Sequence, residues 1–174
     1  MFYALQIDSN GNGIGSHTYV EEPSTYPSNE VPCTQAQAQN PTLYQVVGGQ
    51  IVESLTAAQS AQIALLQSSA QKAEQAPLTY TTSGGVTATF LMTPHQWTKF
   101  MGAYLKYVVK GDALPSGYAF FDQNGKSVAV TVADISGIFD AGMAQIDGAM
   151  VKLDGLITQV NAAKTVADVQ AVTW

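Results

Sequence analysis

The chain holds a single cysteine, Cys33, among 174 residues. No intrachain disulfide can form, and a cysteine-based metal site is not expected. Charge is also scarce. Ionisable Asp, Glu, Lys and Arg make up 11% of the sequence, less than half the roughly 25% of an average soluble domain. Ser, Thr, Gln, Ala and Gly take their place. A surface solubilised by amides and hydroxyls is common among extracellular and virion proteins. Only seven basic residues occur, scattered along the chain, and the net charge is −6. Non-specific nucleic-acid binding needs clustered cations to neutralise phosphates, so no nucleic-acid partner is expected. No long apolar run is present either. The uncharged stretch over residues 54–71 is rich in Gln and Ser and too polar to cross a bilayer. The first residues, MFYALQID, lack a basic stretch followed by an apolar one, so no signal peptide and no membrane insertion are expected.

What is present reads as an α+β chain in three parts: a small β-module over 1–54, a linking helix over 55–76, and a C-terminal α+β domain over 77–174. Residues 2–7 and about 14–20 read as strands around the Asn-Gly turn chemistry of residues 8–13. Residues 21–42, with Pro23, Pro27, Pro32 and Pro41, read as irregular loop. Gly48-Gly49 predicts a hairpin between 43–47 and 50–53. The first helix is expected over 55–75, with Thr56 as N-cap, Gln59 completing a capping box and Pro77 as its stop. Ile63, Leu66, Ala70 and Ala73 form its thin apolar stripe. Thr-rich strands flank Gly84-Gly85. Thr93-Pro94 then opens a helix that runs to about Val109, with Trp97, Met101, Tyr104, Leu105 and Val108 on its apolar face. A hairpin about Asn124-Gly125 follows. Thr131 caps a helix of about 30 residues, and Thr165 caps a short last one.

Residues 139–166 repeat every seven positions. Phe139, Ile146, Leu153 and Val160 occupy the first position. Asp140, Asp147, Asp154 and Asn161 occupy the second. The fourth holds Gly142, Ala149, Leu156 and Ala163. A seven-residue period sets the large residues on one helical stripe. Met143, Met150 and Ile157 lie four residues further on and widen it to the face of a bundle helix. Phe139, Met143, Ile146, Met150, Leu153, Ile157 and Val160 are therefore the candidate helix-packing or partner interface, with packing within the chain favoured. Trp97 and Trp174 are candidate aromatic anchors, and core aromatics on the plainer reading.

Catalytic and metal-binding chemistry finds little footing. Asp8-x-Asn10-x-Asn12-Gly13 matches half of a calcium loop, but the twelfth position is Tyr19 and not Glu, and a hairpin turn explains it better. Glycines 11, 13 and 15 have the wrong spacing for a phosphate loop. Asp140, Asp147 and Asp154 stand roughly 10 Å apart, too far to share a metal. Asp8, Ser16 and His17 could be drawn as a triad, without support for the geometry. His95 lies in the first turn of a helix, a poor place for a cation. Cys33 has no neighbouring base to activate it. No pair of carboxylates can be nominated for glycoside cleavage. No enzyme activity, no cofactor and no metal are expected.

Residues from about 78 to 174 resemble a domain of unassigned function found in small phage tail proteins, often encoded beside tail-fibre genes. The features that carry the likeness are, in order, TYTTSGGVTATF, the Trp97 helix, YAFFDQNGKSVAVT followed by Asp134-Ile135, and the ending VNAAKTVADVQAVTW. The N-terminal MFYALQIDSNGNGIG, the polar loop and YQVVGGQIVES are similar to the small β-module of tail-fibre assembly proteins. The resemblance implies a tail-fibre accessory protein, an assembly chaperone or tip cap, whose partner is the fibre protein. It implies residence in the infected bacterial cytoplasm during assembly, with the virion tail as a second place. It carries no catalytic motif. The alternative is a structural or receptor-binding tail component that contacts the host surface, using Tyr19, Tyr26 and Tyr44 to stack on a ligand. Homo-oligomerisation is left open.

Overall fold

The computed structural model describes every residue from Met1 to Trp174. The protein is α+β, with four small antiparallel sheets and five α-helices. It forms two compact units. The first comprises Met1–Leu66 with Leu156–Trp174, and the second Gln67–Gly155. These limits differ from the divisions at 54 and 76 expected from sequence. They fall inside two long helices rather than in the turns that flank them.

In the first unit, β1 (Phe2–Ile7) is the central strand between β2 (Gly13–Tyr19) and β3 (Glu30–Cys33). The turn before β2 is closed by Asp8. Its carboxylate accepts from the Asn10 and Asn12 amides at 2.8 and 2.9 Å and from Asn12 Nδ2 at 3.0 Å. The half-motif for calcium is thus an Asx turn whose carboxylate is engaged by the turn's own donors. The proline-rich segment expected as irregular loop contains β3 and the helix α1 (Gln35–Gln39). Pro32 is tolerated because β3 is an edge strand, where a missing N–H removes no ladder bond from a second neighbour. Thr34 and Gln37 form a full capping box at the start of α1. β4 (Tyr44–Val47) and β5 (Gln50–Glu53) meet through Gly48 and Gly49, at φ +61° and +81°. That geometry is the reason for two glycines there.

The helix α2 (Leu55–Glu74) starts one residue past Ser54, which accepts the Ala57 amide at 3.3 Å. Ser54, and not Thr56, is the cap. Its own amide is tied to Leu43 O at 2.8 Å, which fixes where the helix begins. Leu66 and Ala70 are the buried members of the expected stripe. The core of the first unit includes Ala4, Leu5, Leu66, Val160 and Val169.

In the second unit, β6 (Leu78–Thr81) pairs with β7 (Thr87–Phe90), and β8 (Ala119–Phe121) with β9 (Ser127–Ala129). Thr93 caps α3 (Pro94–Ala103), which continues as a π-helical turn over Tyr104–Val109. α4 spans Val132–Ala162, and α5, capped by Thr165, spans Val166–Ala171 in the first unit. The core gathers Phe90, Phe100 and Phe120, whose rings meet edge to face, with Ile135 and Ile138 from α4. Edge-to-face contact matches the ring quadrupoles. No helix is long and apolar enough to cross a membrane.

The heptads explain part of this packing. Ile135, Ile138, Gly142 and Ala149 are buried on α4, and Gly142 and Ala149 hold the small fourth position of the repeat. The large first-position residues flank it. Phe139 stacks on Trp97 at 5.3 Å and 10° and on Tyr104 at 4.0 Å and 13°. Ile146 and Leu153 are half-buried and Val160 is fully buried. Met143 and Ile157 are half-buried, while Met150 is exposed.

Candidate contact surfaces

Trp97, a candidate anchor and on the plainer reading a core aromatic, is half-buried in the stack with Phe139. Trp174 is half-buried in the first unit. The candidate interface on α4 is thus partly spent on internal packing, with Met150 and its neighbour Val151 left outside.

A different ridge is open. Along α3 and its π turn, Phe100, Ala103 and Tyr107 face the core, and Trp97, Tyr104 and Val108 lie half-buried beside them. Met101, Leu105 and Val109 are exposed to 39%, 53% and 63%, four residues apart. They form one apolar ridge. Lys99, Lys106 and Lys110 accompany it, and residues 94–110 contain no acidic side chain. This segment is a cationic island in a protein of net charge −6. Lys106 Nζ lies 5.2 Å over the Tyr107 ring. Lys110 reaches Asp112 at 3.3 Å and stays largely exposed. The π turn, held by the Lys110 amide to Leu105 O at 3.0 Å, shifts the helical register at this point.

The first unit holds a polar cluster that sequence reasoning missed. Glu30 is buried at the start of β3. Its carboxylate accepts from Gln6 Nε2 at 3.2 Å and from the Tyr19 hydroxyl, and it meets His17 Nδ1 at 2.8 Å. Burial pushes the carboxyl up, but the bonds from Tyr19, His17 and Gln6 outweigh it and hold Glu30 below its usual range. The Tyr19 hydroxyl is pushed up to about 12, chiefly by its hydrogen bond to Glu30 and then by burial. Tyr26 meets Tyr19 edge to face at 5.7 Å. Tyr19 is therefore committed on its hydroxyl and beside its ring.

The residues considered for catalysis do not converge. Ser16 Oγ donates to Ala38 O at 2.7 Å, while neighbouring His17 turns to Glu30 from the other side of the strand. Asp8 is closed into its turn. His95 is exposed on the first turn of α3. Cys33 is half-buried, and burial pushes its thiol up, away from the reactive thiolate. No three His, Cys, Asp or Glu side chains converge as a metal-binding set.

No protein-family model, no curated protein and no solved structure matches the chain.

Proposed function

We propose that the chain is an accessory protein of a phage tail that binds the tail-fibre protein during assembly, as a chaperone or tip cap. The tail context rests on the resemblance of residues 78–174. The mode of action rests on one structural observation, the lysine-flanked ridge of Met101, Leu105 and Val109. Three exposed apolar side chains in a row on a helix whose opposite face is packed suit a helix-in-groove contact.

The test is co-expression with a candidate tail-fibre protein, followed by light scattering of the purified material. The wild-type chain should co-elute with the fibre or raise the yield of fibre trimers. The exposed variant Leu105→Asp should do neither while unfolding at the wild-type temperature. A fibre that trimerises fully without the chain, and never co-elutes with it, overturns the proposal. Stoichiometric retention in finished virions, together with binding of the isolated chain to host cells, would instead favour a receptor-binding tail component.

A further inference from the structure

We infer that the first unit carries a preformed pocket for a basic protein segment, one that offers an apolar side chain next to a lysine or arginine. The pocket has a volume of about 330 Å³ and lies between α2, the β4–β5 hairpin and α5. That is the lower end of ligand-sized cavities, room for one or two side chains rather than a folded element. Its walls are held in place from two sides. Gln59 and Gln62 of α2 donate to Val160 O at 3.1 Å and Val172 O at 2.6 Å, tying α2 to the C-terminal segment. The Ser54 amide bonds Leu43 O at 2.8 Å, tying the strand side to the start of α2. A pocket fixed this way loses little freedom on filling.

The lining states the chemistry of the occupant. Leu43, Leu65 and Val166 supply an apolar wall, with Leu43 and Leu65 exposed to 41% and 62%. Glu53 and Gln170 stand at the polar side, and no cation lines the pocket. The charge of the whole unit agrees. Met1–Leu66 and Leu156–Trp174 contain Asp8, Glu21, Glu22, Glu30, Glu53 and Asp168 against the single Lys164. Glu53 is the one charged residue of the lining, and a unit of net negative charge attracts cationic partners and repels acidic ones. A lysine or arginine stem can cover apolar wall while its head meets Glu53. This inference is independent of the tail-fibre reading, which uses a cationic ridge in the other unit.

A random dodecapeptide library displayed on messenger RNA and selected against the full chain tests it. Enriched peptides should place an apolar residue within two positions of Lys or Arg. Synthetic copies should bind the exposed variants Leu65→Ser and Glu53→Lys about tenfold more weakly than the wild type, the loss expected of one good anchor contact. Amide shifts of the labelled full chain should move at Ala58, Ala61 and Gln170, which line the pocket. Acidic or charge-free winners, or binding that neither variant changes, overturn the inference. So does peptide-independent dimerisation that Leu65→Ser abolishes, because the pocket's occupant would then be a second copy of this chain.

Discussion

Gly142 lies against Trp97 so closely that a Cβ on the glycine would stand 2.5 Å from Trp97 Cζ3 and 2.8 Å from the Met92 methyl. One of the three heptad glycines is thus the point where α4 accepts an aromatic side chain. Gly148 and Gly155, from the same repeats, have nothing within 4 Å of a built Cβ. Gly142→Ala should therefore destabilise by about 1–3 kcal/mol through overpacking. Gly148→Ala and Gly155→Ala should stabilise by about 0.5–1 kcal/mol each through backbone entropy. Urea unfolding of the three variants checks this, and equal effects at all three positions would refute it.

Gln145 closes the end of another helix. Its Nε2 lies 3.0 Å from Ala73 O, 3.0 Å from Glu74 O and 2.8 Å from Ala76 O. Ala73 and Glu74 end α2 and Ala76 follows it, where intrahelical donors run out. Gln145→Leu removes the donor from these half-buried carbonyls, at a cost of about 0.5–1.5 kcal/mol. Gln145→Asn, one methylene shorter, should recover little of it. Amide exchange across residues 67–76 should rise in both variants, and unchanged protection there would count against the capping role.

The buried carboxylate of Glu30 makes the first unit sensitive to acid. Its folded-state value lies below the unfolded value, so the charged form is the one the fold holds. Its contribution is complete above the unfolded value of about 4.3 and is lost as pH falls through the folded one. Wild-type stability should decline below about pH 4.3, and Glu30→Gln should flatten that decline. Tyr19 acts at the other end of the scale. Its hydroxyl is raised to about 12, so its contribution is complete below the ordinary tyrosine value and is lost as pH rises towards 12. Asp134, bonded to Thr131 and Ser83, is held low in the second unit and contributes to acid sensitivity in both proteins. The difference between wild type and Glu30→Gln isolates Glu30, and parallel pH curves would exclude the role.

Under the proposed function, the α3 ridge would carry binding without carrying folding. Met101→Ser and Val109→Ser remove exposed apolar surface and should change stability by no more than about 0.5 kcal/mol. Both should reduce retention of the fibre protein in pull-down. Lys99→Gln with Lys106→Gln should slow association and weaken its salt dependence, with less effect on dissociation. Surface plasmon resonance on captured fibre distinguishes these effects.

Much of the fold was legible wherever a local rule had no competitor. The glycine pairs at 48–49 and 84–85, and the threonines at 93, 131 and 165, each name a turn or cap that the structure contains. Prolines obscured β3 and α1, because Pro32 is compatible with a strand only at an edge, and edge position is a property of the sheet. Ser54 and Thr56 are both competent caps, and the choice fell to the bond between Ser54 and Leu43. The ridge on α3 hid inside a broad apolar face. Periodicity groups Met101 and Leu105 with Trp97 and Tyr104, and only packing separates the inner pair from the outer one. The Glu30 cluster gave no signal, since Gln6 and Glu30 are 24 residues apart and meet through strand register alone.

The first unit is discontinuous in sequence, and that gives its assembly a direction in time. Met1–Leu66 are closed by Leu156–Trp174, whose Val160 and Val169 are fully buried. On a ribosome that adds about 5–20 residues per second, the opening strands emerge and then wait roughly 6–27 s for those valines. The intervening residues 67–155 can complete their own core in that interval. The N-terminal portion of this unit is made well before the segment that seals it, and until then its apolar pocket wall stands open to whatever is nearby.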